Sequence, residues 1–120
     1  MSDDRLSIYL ERMASSAERA LRYVDGMSGD DFSADPKTQD AVIANIMAIG
    51  ECAIKLMELY PQFVDEHPDI AWKDIRNMRN RIAHQYFQLD VGTIWMTVCA
   101  VLPDLLDRLY ALRHWRPQGE

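Results

Sequence analysis

The chain has 120 residues, 48% of them hydrophobic, and a formal net charge of −6 at pH 7. That length and apolar content are enough for one globular domain with its own core and leave no room for a second module. The negative charge argues against broad, nonspecific coating of nucleic acid, which needs an extended basic face that releases many counterions.

The amino terminus lacks a basic start followed by an apolar run, and the longest apolar stretches, 41–49 and 94–102, carry polar breaks. Both are far shorter than the roughly 18 residues expected of a membrane span. Cys52 and Cys99 lie in apolar helical patterns without Cys-x-x-Cys spacing, which predicts buried, reduced thiols and no metal site. We therefore expect a cytoplasmic protein that does not cross a membrane.

The first predicted helix runs from about Asp3 to Val24, because apolar residues recur there at steps of three and four. Those residues are Leu6, Tyr9, Leu10, Met13, Ala17, Leu21 and Val24. Asp25 and Gly26 end the helix, and a polar loop is predicted up to Asp35.

The second predicted helix begins at Pro36, with Asp35 as its N-cap, and ends near Tyr60, just before Pro61. It is apolar on more than one stripe, which predicts a central position in the fold. A glycine in its middle, Gly50, costs about 1 kcal/mol relative to alanine. This glycine either permits a close helix crossing or is merely tolerated.

A connector is predicted over 61–68, and a third helix from Ile70 or Ala71 to Tyr86. Asp90 caps a fourth helix, within which Pro103 predicts a kink. One apolar stripe of this helix holds Val91, Ile94, Val98, Val101, Leu102, Leu105, Leu109 and Leu112, and a second holds Trp95, Cys99, Leu106 and Tyr110. Two stripes exceed what a small bundle buries, so we expect a homodimer through the fourth helix, with the first helix as a further candidate. The alternative is a fourth helix buried deeply in the monomer.

The third helix carries a local basic cluster. Between residues 73 and 84, four basic residues accompany one carboxylate, a net charge of +3, whereas the nine basic and eighteen acidic residues elsewhere sum to −9. Arg76, Asn80 and His84 are four residues apart and therefore share one helix face. Arg79 lies one residue step around the helix from that face.

These residue types suit phosphodiester chemistry without a metal. A base removes the proton of a ribose 2′-hydroxyl, and cationic donors stabilise the charge that develops on the attacked phosphate. In this hypothesis His84 is the acid or base, Arg79 clamps the phosphate, and Asn80 positions the phosphate or the imidazole. One histidine is short of the usual acid and base pair, which a two-fold dimer would complete. The alternative is a solvated or salt-bridged helix surface.

Glu51 is an acidic residue within the apolar run of the second helix. It is predicted either to pair with Arg76, Arg79 or His84, or to point into solvent.

Two segments resemble motifs of a known family. Arg79-Asn80-x-x-x-His84-x-Tyr86 fits an Arg-x4-His-x-Tyr signature, and the segment 49–53 is similar to a Gly-Glu-Ala segment in which Cys52 replaces the common alanine. Trp72, Asp90 and Ile94-Trp95 frame the signature. Over residues 3–115 the chain thus resembles the HEPN superfamily, and within it the small HepT-like toxins.

This resemblance implies an all-α, antiparallel up-and-down bundle of four or five helices, forming one domain over 1–115 with a disordered tail at 116–120. It also implies a homodimer with a cleft between the subunits. The implied activity is a metal-independent endoribonuclease without a cofactor, acting on RNA such as tRNA or mRNA. Arg79 and His84 are then the catalytic pair, with Asn80, Arg76 and Glu51 in support.

The resemblance further implies a partner, a minimal nucleotidyltransferase antitoxin that adds AMP to Tyr86. A bulky anionic phosphate beside Arg79 and His84 would compete for the cations that RNA needs. The alternative is a noncatalytic nucleotide- or partner-binding module that docks a nucleotidyltransferase, because a fold carries out a function only through its site.

Overall fold

The chain folds into four long helical segments joined by short helical turns. The computed structural model describes the backbone of residues 3–115 and the side chains of residues 5–112. In chain order the elements are α1 (Asp3–Tyr23), α2 (Gly29–Ser33), α3 (Pro36–Leu59), α4 (Pro61–Asp65), α5 (Trp72–Gln85), a 3-10 turn (Tyr86–Gln88), α6 (Val91–Met96), a π-helical segment (Thr97–Val101) and α7 (Leu102–Trp115). No strand occurs between residues 3 and 115, which confirms the predicted all-α fold. The predicted disordered tail, 116–120, lies outside the described residues.

Two helices begin at the caps that the sequence predicts. The Asp35 carboxylate accepts hydrogen bonds from the Thr38 backbone N–H at 3.1 Å and from the Thr38 hydroxyl at 2.7 Å, and Pro36 follows as the first residue of α3. The bond from the Thr38 hydroxyl is the main reason that the pKa of Asp35 lies below its usual value. At the start of α6, the Asp90 carboxylate accepts in the same way from the N–H and hydroxyl of Thr93.

Two stretches expected to lack helices each contain a helical turn. In the expected polar loop, Ser28 and Asp31 form a capping box that starts α2, and Phe32 of that helix is fully buried. In the expected connector, Pro61 occupies the first turn of α4. A capping box and a proline at the first position each favour a helix start. In α2 the buried Phe32 also anchors the helix to the core, whereas α4 has no fully buried side chain.

The fourth predicted helix is helical from Val91 to Trp115 but changes its hydrogen-bonding pattern before Pro103. Residues Thr97–Val101 are π-helical. Pro103 has no backbone N–H, so it cannot donate the hydrogen bond that an α-helix would place there. The wider π-helical turn before it accommodates this missing donor. The irregularity expected at Pro103 therefore takes the form of a π-helical segment.

The core lies where α3 packs on α1 and α5, and α7 closes it by packing on α1. The central position predicted for α3 is confirmed by its buried residues, Val42, Ile43, Asn45, Ile46, Ile49, Gly50, Cys52, Ala53 and Leu56. Cys99, expected to be buried, is exposed, and Val101 of the first stripe is 49% exposed. Both lie in the π-helical segment, where the different residue spacing turns these side chains away from the core. None of the helices between residues 3 and 115 is long and apolar enough to cross a membrane.

The crossing of α3 over α5 depends on Gly50. A Cβ atom at position 50 would lie 2.3 Å from the Cβ of Arg79 and 2.8 Å from its Cγ. Real side chains do not approach so closely, so only glycine lets α5 pack at this distance. Of the two interpretations of Gly50, the close helix crossing is the one observed.

Gly50→Ala is expected to lower the free energy of unfolding by about 1 to 3 kcal/mol, because the added methyl group overpacks a contact close to the α5 backbone. Urea unfolding of the purified protein measures the change. Gly92→Ala is the matched control: its Cβ would meet only the Asp90 carboxylate, at 3.4 Å. This control should be neutral or more stable by up to about 1 kcal/mol. Equal stability of the two variants would contradict the packing role of Gly50.

Candidate functional site

Helix α5 carries its polar side chains beside its contact with α3 and on its solvent-exposed side. Trp72 and Ile82 of α5 are buried, and the Trp72 indole N–H donates to the His67 carbonyl at 3.0 Å. We define the polar strip as Arg76, Asn80 and His84, which are four residues apart, with Arg79 at its edge. Arg76, Arg79 and Asn80 are half-buried and His84 is exposed, so the strip runs from the side of α5 that meets α3 toward solvent.

Arg79 is the most constrained side chain of the polar strip. Its Nε donates to Oε2 of Glu51 at 2.9 Å, and its Nη2 lies 2.8 Å from the same oxygen. Its Nη1 donates to Oδ1 of Asn80 at 3.0 Å. Glu51 thus pairs with one of its three predicted partners, Arg79, while its own side chain stays 50% exposed.

These contacts orient the guanidinium without saturating it. A guanidinium has five N–H donors, of which Glu51 and Asn80 occupy three. One N–H on Nη1 and one on Nη2 remain, in the planar arrangement that suits two phosphate oxygens. A partly exposed ion pair contributes about 0.2 to 1 kcal/mol to stability, so the chief effect of Glu51 is to hold Arg79 in place.

His84 lies in the last turn of α5 with an exposed side chain. Among the described residues, neither His84 nor the half-buried Arg76 has a hydrogen-bond or ion-pair partner. Both side chains are therefore available to a ligand. Asn80 contacts Arg79 through its oxygen, and its amide N–H groups have no acceptor in the described part of the chain.

Tyr86 begins the 3-10 turn that follows α5, and it contacts α3 at a second point. Its hydroxyl donates to Oδ1 of Asp40 at 2.9 Å. This hydrogen bond raises the pKa of Tyr86 above its usual value, and partial burial and the negative charge of Asp40 act in the same direction. Asp40 and Glu51 are eleven residues apart on α3, which separates the two contacts by about 16 Å along the helix. His84 lies between Arg79 and Tyr86 in the chain.

No group of three or more His, Cys, Asp or Glu side chains within the described residues is arranged to hold a metal ion.

Comparisons with known proteins identify the family of the chain. Residues 13–112, which include the whole polar strip and Tyr86, match the model of a family described as ribonuclease HepT-like. The chain belongs to the HepT-like ribonuclease family. A relative from Thermococcus cleftensis, named "Probable ribonuclease HepT", is 33% identical over 105 residues, covering 88% of this chain and 93% of its own length.

Two further relatives are named as candidate RNases. One, from Caldanaerobacter subterraneus, is 34% identical over 97 residues, covering 81% of this chain and 84% of its own. The other, from Methanocaldococcus jannaschii, is 29% identical over 96 residues, covering 80% of this chain and 77% of its own length. No solved structure matches the chain. The resemblance to HepT-like proteins inferred from the sequence is thereby confirmed, whereas the roles of Arg79 and His84 stay predictions.

Two residues near the HepT-like signature were missed by sequence reasoning. Asp40 carries no local signal, because its partner Tyr86 lies 46 residues away. Phe87 could have been noticed as the aromatic neighbour of Tyr86. Its side chain is 97% exposed, and its ring meets that of Tyr86 edge-on at a centroid distance of 5.5 Å.

Proposed function

We propose that this chain is the toxin of a toxin–antitoxin pair and acts as a metal-independent endoribonuclease through Arg79 and His84. The observation that carries the proposal is the anchoring of Arg79 between Gly50 and Glu51, which leaves two N–H donors for an anion. Membership of a ribonuclease family supports RNA as the substrate. The unpartnered, exposed His84 on the same helix supports a proton-transfer role.

In the proposed reaction, the neutral imidazole of His84 accepts the proton of a ribose 2′-hydroxyl. The 2′-oxygen then bonds to the adjacent phosphorus, and the bond from phosphorus to the 5′-oxygen breaks. The two remaining N–H groups of Arg79 stabilise the charge on the nonbridging oxygens, and the positive charge of Arg76 adds to this effect. The departing 5′-oxygen needs a proton, which calls for a second acid.

We assign that acid to His84 of a second copy, in a homodimer. Large apolar side chains on the outer side of the fourth helix support self-association, since Met96 is 62% and Val101 49% exposed. Val101 also lines a groove with Ile75 and Met78 of α5, so a partner on this surface would sit beside the helix that carries the site. The dimer would supply one His84 for each proton transfer.

The exposed ring of Phe87 favours single-stranded RNA. Proteins that recognise unpaired RNA commonly stack its bases on exposed aromatic side chains. Phe87 follows the polar strip within three residues of His84, and the net positive charge of residues 73–84 would attract the backbone phosphates. A tRNA loop or an unpaired stretch of mRNA has these features.

A minimal nucleotidyltransferase is the proposed antitoxin, with Tyr86 as the acceptor of AMP. The side chain of Tyr86 is 42% exposed, so its hydroxyl can be reached by a second protein. The added phosphate would be an anion close in sequence to His84 and would compete with RNA for the cations of α5.

Removal of either catalytic side chain is expected to abolish RNA cleavage. His84→Ala should slow cleavage of total RNA and tRNA about 100-fold or more, the loss expected when a general acid or base is removed. Arg79→Ala should do the same because the phosphate loses its clamp. Both variants should also relieve the growth arrest caused by the wild type in a bacterium, and wild-type cleavage should persist in EDTA. Because His84 is exposed, its loss should leave the fold intact.

Arg22→Ala is the matched control, since it removes an exposed arginine from α1, outside the basic stretch 73–84. It should cleave RNA at close to the wild-type rate. Intact RNA and normal growth with soluble, unmodified wild-type protein that binds a nucleotidyltransferase tightly would instead support the noncatalytic docking module.

Tyr86→Phe is expected to escape the antitoxin. When each variant is expressed with the proposed nucleotidyltransferase antitoxin, wild-type toxicity should disappear and the Tyr86 peptide should gain the mass of AMP. Tyr86→Phe should stay toxic, because it lacks the acceptor oxygen. Tyr23→Phe is the control, since Tyr23 is equally exposed at 43% and should not affect neutralisation. Neutralisation of Tyr86→Phe would rule out this tyrosine as the acceptor.

A further inference from the structure

Tyr86 and Asp40 are arranged as a nucleophile beside a base. The phenol donates a hydrogen bond to Oδ1 of Asp40 at 2.9 Å, which is within the range for direct proton transfer. Both side chains are exposed, so a reagent can reach the phenol oxygen while the hydrogen bond is in place. This is the geometry by which proteins activate a hydroxyl for attack on an electrophile.

Asp40 is the one titratable side chain that lines the described cleft beside the phenol. A small cleft of about 120 Å³ beside the pair is lined otherwise by Phe32, Gln39, Ile43, Leu89, Val91 and Ile94, none of which titrates. Within the described residues, Asp40 is also the only hydrogen-bond partner of the Tyr86 hydroxyl. A proton leaving the phenol therefore passes to Asp40 or to water.

We propose that Asp40 is the general base for nucleotide transfer to Tyr86, so that this chain catalyses part of its own modification. This inference rests on the proposed role of Tyr86 as the AMP acceptor. It differs from that role in locating the base on the toxin rather than on the antitoxin.

In the proposed step, the phenol oxygen of Tyr86 bonds to the α-phosphorus of a nucleoside triphosphate. The bond between that phosphorus and the bridging oxygen of the β-phosphate breaks, and pyrophosphate leaves. The phenol proton passes to the Asp40 carboxylate, which already accepts the hydrogen bond of the phenol. Because the hydrogen bond raises the pKa of Tyr86, the phenol stays protonated before the reaction, and a base is needed during it.

A purely structural role for Asp40, as a clasp that fixes the 3-10 turn on α3, makes different predictions. Asp40→Asn keeps an oxygen that can accept the Tyr86 hydrogen bond but cannot take its proton. A structural role of Asp40 would therefore be retained in Asp40→Asn, whereas its role as a base would be lost. The chain also holds an internal reference: Tyr23 is 43% exposed, against 42% for Tyr86, and has no hydrogen-bond partner among the described residues.

The test uses adenosine 5′-phosphorimidazolide, an activated AMP that transfers to a phenol without an enzyme and releases imidazole. The full-length protein is incubated with this reagent, and mass spectrometry follows AMP on the Tyr86 and Tyr23 peptides. Tyr86 should react about 100-fold faster than Tyr23, the lower end of what a positioned base contributes. Asp40→Asn should reduce Tyr86 to the rate of Tyr23. The rate lost in Asp40→Asn should return near pH 10, because an ordinary phenol ionises without a base at about that pH.

Asp40→Glu should restore part of the rate, and Asp107→Asn, which removes an exposed carboxylate elsewhere, should change nothing. Equal reaction of Tyr86 and Tyr23 in the wild type would overturn the inference. So would an Asp40→Asn variant that reacts as fast as the wild type at neutral pH.

A second arm separates this inference from the proposed antitoxin. The proposed nucleotidyltransferase antitoxin replaces the phosphorimidazolide, with ATP as the nucleotide donor. Transfer to wild-type Tyr86 that slows about 100-fold in Asp40→Asn supports both proposals. Transfer that proceeds equally in both proteins overturns the role of Asp40 alone. If Asp40 activates Tyr86 toward the phosphorimidazolide but the enzyme never modifies wild-type Tyr86, the antitoxin assignment fails and the reactive pair stands.

Discussion

The close crossing of α3 and α5 at Gly50 is the contact on which the candidate site depends. It brings the stem of Arg79 against the α3 backbone, where any Cβ at position 50 would overlap it. The next residue, Glu51, is then within reach of the guanidinium. A glycine followed by a glutamate thus sets both the distance between two helices and the direction of one cation. The ion pair alone could not do this, since a partly exposed pair contributes too little energy to hold two helices together.

A second contact lies about 16 Å from the first along α3, where Asp40 accepts a hydrogen bond from the hydroxyl of Tyr86 in the 3-10 turn after α5. Asp40 and Glu51, two of the three acidic residues of α3, therefore have different proposed roles. Glu51 orients the cation proposed to bind RNA, and Asp40 activates the phenol proposed to carry AMP. His84, exposed and without a partner in the described chain, lies between them in sequence. RNA cleavage and its inhibition by AMP would then depend on two separate contacts of α3.

Much of this arrangement could be predicted from local patterns. The caps at Asp35 and Asp90, the central α3 and the polar face of α5 all follow from interactions within one helical turn or from helical spacing. For Glu51 the sequence leaves three possible partners, or solvent. Helical spacing places residues on a face but does not set the rotation of one helix against another. Asp40 was missed for the same reason. The expectation that Cys99 is buried is wrong. Cys99 lies in a π-helical segment, whereas the prediction from apolar spacing assumes an α-helix.

The single-turnover rate of RNA cleavage at saturating protein decides whether Glu51 prepares Arg79 for catalysis. In Glu51→Ala, the guanidinium loses its anchor but keeps its charge. The cleavage rate should fall about 100-fold, the effect of misplacing a catalytic group by about 1 Å, with RNA binding unchanged or tighter. If the Glu51→Ala protein folds normally and cleaves RNA as fast as the wild type, or faster, Glu51 does not prepare Arg79 for catalysis.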